Sequence, residues 1–190
     1  MCYVFIFVIY SSLLFLISPA YAQNSTKGFL TFRNCAVEFL YLKDWKNYIR
    51  SNSSDACEES RTYITIPQPS LSEKIISNIT IIVETCCPDF VDQSGQLHLR
   101  NMTLDQYLQK NLDTGSTMGW KTIDYGPITL DGNPAYRLLR EAGLHNRIVE
   151  IYSIYGTKLY KIQYIADLSD YSTYLKDVQK IVDSFKMFVS

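Results

Sequence analysis

Histidine is scarce in this sequence, which has only His98 and His145, and neither belongs to a short motif of metal-binding residues. The G-x-S-x-G and H-E-x-x-H motifs of hydrolases and metalloproteases are absent as well. A catalytic triad of either histidine with Ser94 or Ser153 is an alternative, but both histidines lie in or beside predicted turns. The pair of carboxylates at 58–59 could serve as acid and base or bind a cation, although such a pair more often belongs to a solvated loop. The sequence therefore identifies no catalytic residue, no cofactor and no metal site.

An excess of charge of either sign is also missing. The chain has 18 Lys and Arg against 19 Asp and Glu, which gives a formal net charge of −1. Because these charges are mixed along the sequence, no basic surface for nucleic acid or for an anionic membrane is indicated. We therefore do not expect nucleic acid as a partner.

Long apolar runs are confined to the N-terminus, where an uncharged segment ends in the tripeptide AYA at 20–22, with alanine three and one residues before the predicted cleavage site. The apolar run is shorter than the roughly 20 residues that span a bilayer, and small residues in these positions suit signal peptidase. We predict that residues 1–22 are a signal peptide and that residues 23–190 form one secreted or extracytoplasmic domain without a membrane span. No basic residue precedes the run, and retention of the segment as an anchor is the alternative.

Four cysteines follow the predicted cleavage site: Cys35, Cys57, Cys86 and Cys87. An even number in an oxidising compartment predicts two disulfides. A bond between the neighbours Cys86 and Cys87 would be strained, because adjacent side chains of a strand point to opposite faces. The other pairings join Cys35 to one of these two and Cys57 to the other. Free thiols and a zinc or copper site are the alternatives, although no C-x-x-C spacing supports a metal site.

Four N-x-S/T triplets are candidate glycosylation sites, at Asn24, Asn52, Asn78 and Asn101. Each requires an exposed asparagine and a host that glycosylates its secreted proteins. Asn78 is the poorest candidate because it opens an apolar strand.

The periodicity of the apolar residues predicts an α+β fold in which antiparallel strands predominate. Two helices are expected, one capped by Thr103 and one that closes the chain from near Asp170. The closing helix carries an apolar stripe formed by Val178, Ile181, Val182 and Phe185, and Leu175 recurs at the same helical spacing. The predicted strands are 29–33, 36–42, 62–66, 79–85, 120–130, 134–140, 147–155 and 159–166, and 79–85 is apolar enough to be central.

The dipeptide Asp131-Gly132 predicts a type I′ turn between the strands 120–130 and 134–140. A two-residue turn at Gly156 and Thr157 predicts the register of the last hairpin. One face of this hairpin is apolar, and we expect the closing helix to pack against it. The other face mixes charged, amide and phenol groups. We expect it to be a solvated surface or a shallow binding face formed by Glu150, Tyr152, Lys161 and Gln163.

Five stretches, spread over most of the chain, together match the sequence pattern of a known protein family. They are VEFLYLKDW at 37–45, TLDQYLQKNL at 103–112, LDGNPAYRLL at 130–139, IVEIYSIYGTKLYKIQYIAD at 148–167 and YLKDVQKIVDSF at 174–185. Their order resembles the PsbP-like family, named for an extrinsic lumenal subunit of photosystem II, and in particular its small secreted archaeal relatives. One departure is Leu42, where the family usually has proline after Tyr41. The resemblance implies a twisted antiparallel sheet packed with helices, in a family whose members bind or assist partner proteins and are not generally enzymes.

Two functional hypotheses follow. The first is a secreted, non-catalytic accessory or binding domain that acts through protein contact at the outer face of the membrane. It rests on the resemblance, on the missing catalytic motifs and on the mixed polar face. The second is a secreted hydrolase or metal-dependent enzyme whose site is not recognisable in the sequence.

Overall fold

The chain folds as an α+β protein with antiparallel sheets, as the sequence predicts. The structure is a computed structural model that describes residues 28–50, 60–66, 77–85, 90–91, 97–98 and 102–188. Its helices are α1 (Leu104–Thr117) and α2 (Leu168–Ser184). Its strands are β1 (Phe29–Arg33), β2 (Val37–Leu42), β3 (Lys46–Arg50), β4 (Ser60–Thr65), β5 (Asn78–Thr85), β6 (Phe90–Val91), β7 (Leu97–His98), β8 (Lys121–Leu130), β9 (Asn133–Ala142), β10 (Asn146–Tyr155), β11 (Lys158–Asp167) and β12 (Lys186–Met187).

Seven of these strands form a large sheet in the order β3-β4-β5-β11-β10-β9-β8, and each neighbouring pair is antiparallel. β5, the strand that the sequence places in the centre, has a neighbour on each side. A small sheet has the order β1-β2-β12, and β6 pairs with β7. The short strands β3, β6, β7 and β12 were not predicted.

The turns fix the registers of the two long hairpins. In β10–β11, Tyr155 lies opposite Lys158 and Glu150 opposite Gln163, which confirms the predicted register. Gly156 has a φ of 61°, in the left-handed region that a tight hairpin turn requires and that glycine adopts at little steric cost. In β8–β9, Asp131 and Gly132 have φ values of 49° and 76°, as the predicted turn type requires.

Helix α2 lies between the two sheets and buries their facing apolar side chains. Asp167 caps its N-terminus by accepting a hydrogen bond from the Ser169 backbone N–H, so the helix begins slightly before the predicted start. At its other end Phe185 is 1% exposed and stacks on Phe39 of β2, with ring centroids 5.9 Å apart. The four residues of the predicted apolar stripe are buried, whereas Leu175, which shares their helical spacing, is 37% exposed.

Helix α1 packs on the opposite face of the large sheet, against β8 and β10. Thr103 caps it as predicted: its hydroxyl accepts from the Gln106 backbone N–H, and the Gln106 side chain accepts from the Thr103 backbone N–H. This reciprocal pair satisfies two helix-end donors. Leu108 of α1 then packs with Leu138 and Tyr152 of the sheet in a second apolar cluster.

No helix within the described ranges has the length and the apolar run that crossing a membrane requires. Residues 1–22 lie outside those ranges. The signal peptide therefore stays a prediction.

We expect Phe185→Ala to lower the free energy of unfolding by about 3–5 kcal/mol, because loss of the buried ring leaves a cavity between β2 and α2. Leu175→Ala is the matched control on the same helix, and at its exposed position it should cost less than about 1 kcal/mol. Chemical denaturation followed by circular dichroism measures both values. Similar small losses for the two variants would show that the end of α2 is not anchored in the core.

A candidate binding cleft and a buried charge network

A half-open cleft of about 620 Å³ lies between the C-terminal part of α2 and the strands β8 and β9. Its apolar lining comes from both sides, with Ile128 and Ile151 on the sheet and Val182 on the helix. Charged and amide side chains line the rest. Concave sites of this size, with apolar surface and a few placed polar groups, are typical of binding sites.

Arg137 of β9 and two residues of α2 place polar groups in this cleft. Arg137 is 38% exposed and forms an ion pair with Asp124 of the neighbouring strand β8. On the helix, the Gln179 side-chain amide donates to the Asp183 carboxylate one turn later, at 2.8 Å. The cleft therefore offers fixed hydrogen-bonding groups on both walls.

At one end of the cleft the β8–β9 turn is fastened to the C-terminal strand. The Asp131 carboxylate accepts hydrogen bonds from Lys186 Nζ and from the Met187 backbone N–H, each at 2.9 Å. Burial alone would raise the pKa of Asp131, but these two contacts outweigh it and the pKa lies below its ordinary value. The contacts tie the large sheet to β12 of the small one.

The predicted polar face of β10–β11 is a buried charge network. Glu150 is 1% exposed, pairs with Arg140 at 3.1 Å, and accepts hydrogen bonds from Lys161 Nζ and the Gln163 amide, each at 2.8 Å. Tyr152 is completely buried. The prediction of a solvated or shallow binding face is therefore wrong for Glu150 and Tyr152.

Helix α1 accounts for the difference, because it covers this face of the sheet. The ring of Tyr107 packs against that of Tyr152 with centroids 5.3 Å apart, and the Tyr152 hydroxyl donates to Asn111 Oδ1 at 3.3 Å. A Cβ atom at Gly115 would lie 2.9 Å from Arg140 Nη1, so the glycine lets the helix approach the guanidinium. A glycine in the interior of α1, such as Gly115, is the sequence signal for this close approach.

Electrostatics keep the network ionised. Burial would raise the pKa of Glu150, but the charges of Lys161 and Arg140 lower it below the ordinary value. Burial, and then the charge of Glu150, raise the pKa of Tyr152. Glu150 thus stays a carboxylate and Tyr152 a phenol at neutral pH, an arrangement that holds α1 on the sheet and does not favour proton transfer.

The residues of the catalytic alternative do not come together in the described part of the chain. Ser153 is buried and donates its hydroxyl to the Pro134 carbonyl at 2.9 Å. His145 is exposed in the turn at the far end of β10. Ser94, the side chain of His98 and the carboxylates at 58–59 lie outside the described residues.

Cys35 lies in the turn between β1 and β2 and is disulfide-bonded. The other cysteines lie outside the described residues, so the pairing stays a prediction. The same holds for glycosylation at Asn24, Asn52 and Asn101. Asn78 is half-buried at the start of β5, an interior strand of the large sheet.

The fold resembles that of cyanobacterial PsbP (CyanoP) from Synechocystis sp. PCC 6803. The two structures align with a TM-score of 0.52 and 12% sequence identity, over 87% of this chain and 96% of that one. The chain has a PsbP-like fold. At this identity the similarity shows the fold alone, which confirms the fold implied by the five sequence stretches.

A second structural alignment is weaker. It is with a Pseudomonas aeruginosa protein of unknown function, at a TM-score of 0.49 and 10% identity, over 80% of this chain and 91% of that one. Neither a family model nor a curated protein matches the sequence.

We expect Glu150→Gln to destabilise the PsbP-like fold by about 3–5 kcal/mol, because it leaves the buried Arg140 without its counter-charge. Glu141→Gln breaks a half-exposed ion pair with Arg147 and is the control, with a cost of at most about 1 kcal/mol. Urea denaturation at neutral pH measures both.

Comparing wild type with Glu150→Gln over a range of pH tests the pKa of Glu150. Because this pKa is depressed in the folded state, the carboxylate stabilises the fold fully above its ordinary pKa, and the stabilisation is lost as the pH falls through the depressed value. The gap between wild type and Glu150→Gln should therefore shrink in acid. A gap that is constant down to strongly acidic pH would contradict the ionised network.

Proposed function

We propose that the protein is a secreted, non-catalytic accessory domain that binds a partner protein at the outer face of the membrane. The observation that carries the proposal is the half-open cleft beside α2, which combines apolar surface with polar groups held by their neighbours. Among the described residues that line it there is no histidine, cysteine or serine. Such a lining suits recognition better than nucleophilic or metal-assisted hydrolysis.

The PsbP-like fold agrees with this proposal, because the resemblance implies proteins that bind or assist partner proteins. The near-zero net charge of −1 agrees as well, since it favours contact with a protein over contact with nucleic acid.

Two features support an extracytoplasmic location. The N-terminal segment has the pattern of a cleaved signal peptide. Cys35 is disulfide-bonded, and structural disulfides are typical of oxidising compartments.

Contacts at one end of the sheets support a bond from Cys35 to Cys86 or Cys87. The Phe188 backbone N–H donates to the Ala36 carbonyl, next to Cys35, and the Phe188 carbonyl accepts from the Tyr160 hydroxyl, each at 2.9 Å. Tyr160 lies opposite Val83, close to where β5 ends at Thr85. The Cys35 turn and the end of β5 therefore lie on the same side of the molecule.

Protein secreted by the native host is expected to begin at Gln23 and to contain no free thiol. In a digest without reduction, the peptide with Cys86 and Cys87 should be linked to both the Cys35 and the Cys57 peptides. N-terminal sequencing and mass spectrometry provide the two measurements. Material that starts at Met1 would contradict cleavage, and a bond between Cys86 and Cys87 or a stoichiometric metal released by thiol alkylation would contradict the disulfides.

Filling the cleft should weaken partner binding. We propose Gln179→Trp, which places an indole on the helical wall of the cleft, and Thr173→Trp as the control at an exposed position of the same helix away from it. Tagged protein is purified with its partners from the native envelope and the partners are quantified by mass spectrometry. At least one protein should be retained with Thr173→Trp and lost about 10-fold with Gln179→Trp, which corresponds to about 1.4 kcal/mol. Equal recovery with both variants would show that the cleft does not bind the partner.

A further inference from the structure

We infer that the cleft receives an extended segment of the partner that carries a lysine or arginine, whose cation binds Asp183. This inference rests on the proposed function and adds the chemistry of the bound segment. It follows from the charges of the cleft, from the position of Asp183 on α2 and from the open edge of the neighbouring strand.

The charges of the cleft are balanced except at one position. Lys186 is paired with Asp131, and Arg137 is paired with Asp124. Asp183 is exposed, and within the described part of the chain it accepts a hydrogen bond from the Gln179 amide and forms no ion pair. The two cations of the cleft are thus already neutralised, and the unbalanced charge that faces a ligand is negative.

The location of Asp183 strengthens this negative potential. It lies in the last turn of α2, where the helix dipole presents its negative end, and that turn contains no basic residue. The Gln179 amide donates to Oδ1, which orients the carboxylate and leaves Oδ2 to accept a further bond. A charge-assisted bond from an ammonium or guanidinium group would satisfy both the carboxylate and the helix end.

The rest of the cleft fits a peptide better than a small amine. Ile128 and Thr129 of β8 line it, and among the described strands β8 lies at the edge of the large sheet, with β9 as its neighbour. Its outer backbone groups can therefore pair with an extended segment while Ile128 and Ile151 contact an apolar side chain. Pro127 supplies no backbone N–H, so such pairing is limited to a short stretch.

The test uses five-residue peptides, acetyl-Val-Thr-Xaa-Thr-Val-amide, in which Xaa is lysine, norleucine or glutamate. Each is titrated into the ¹⁵N-labelled mature chain, and the amide shifts of β8 and of the last turn of α2 are followed by NMR. We expect the lysine peptide to shift these amides and to bind about 10-fold more tightly than the norleucine peptide. The glutamate peptide should bind least.

Asp183→Asn should abolish the preference for lysine without altering the shape of the side chain. Asp113→Asn is the matched control, because Gln109 donates to Asp113 on α1 in the same i, i+4 arrangement, outside the cleft. This control should keep the preference.

The outcomes separate the inference from the proposed function. Peptides that shift the cleft amides equally with all three central residues would overturn the basic segment and leave protein binding at the cleft in place. A lysine preference that survives Asp183→Asn would overturn the role of Asp183. If no peptide shifts these amides, the inference is wrong, and if Gln179→Trp also keeps every partner, the proposed function is wrong with it.

Discussion

The register of the β10–β11 hairpin is the constraint on which both faces of the large sheet depend. The turn at Gly156 and Thr157 places Tyr164 on the side of α2 and Glu150 on the side of α1. Since successive side chains of a strand alternate between faces, a slip of one residue would turn Glu150 toward the apolar layer under α2. The carboxylate would then be buried without Arg140, at a cost larger than the turn itself could offset. One short turn thus decides what each helix can pack against.

Burying the charge network of Glu150 under α1 costs free energy, and the contacts of the carboxylate offset part of that cost. Removing an ion from water costs several kcal/mol of free energy. The attraction within a buried ion pair offsets this cost only if the geometry is good and additional hydrogen bonds are made. Glu150 meets that condition at Oε1, which accepts from Lys161 and Gln163. Its Oε2 faces Arg140 in an ion pair and, within the described residues, makes no hydrogen bond. An apolar pair in its place could be equally stable, so we interpret the network as a device that positions α1. Gly115 fits this interpretation, because a Cβ atom there would lie 2.9 Å from Arg140 Nη1 and would force the guanidinium to shift.

Local signals in the sequence were sufficient for the long hairpins and for the start of α1. Thr103, Asp131 and Gly156 each act within a few residues, and the structure confirms the elements that they predict. The burial of Glu150 was not predicted, because it depends on where α1 packs. The periodicity of a helix does not show which face of a sheet it packs against. The partner of Glu150 could have been found by extending the register across the turn at Gly143 to Arg140. The cleft could not have been predicted from the sequence, since its walls come from elements that are distant along the chain.

The cleft itself follows from the mismatch between one helix and a wide sheet. Seven strands at about 4.8 Å spacing make a sheet far wider than the roughly 10 Å diameter of a helix. Helix α2 packs on β10 and β11, so the inner face of β8 and β9 extends beyond it. The contacts of Asp131 with Lys186 and Met187 hold the β8–β9 turn in place at the end of this gap. Because Gln179 and Asp183 are exposed on its wall, the specificity of the cleft can change by substitution there while the core around Phe185 is left intact.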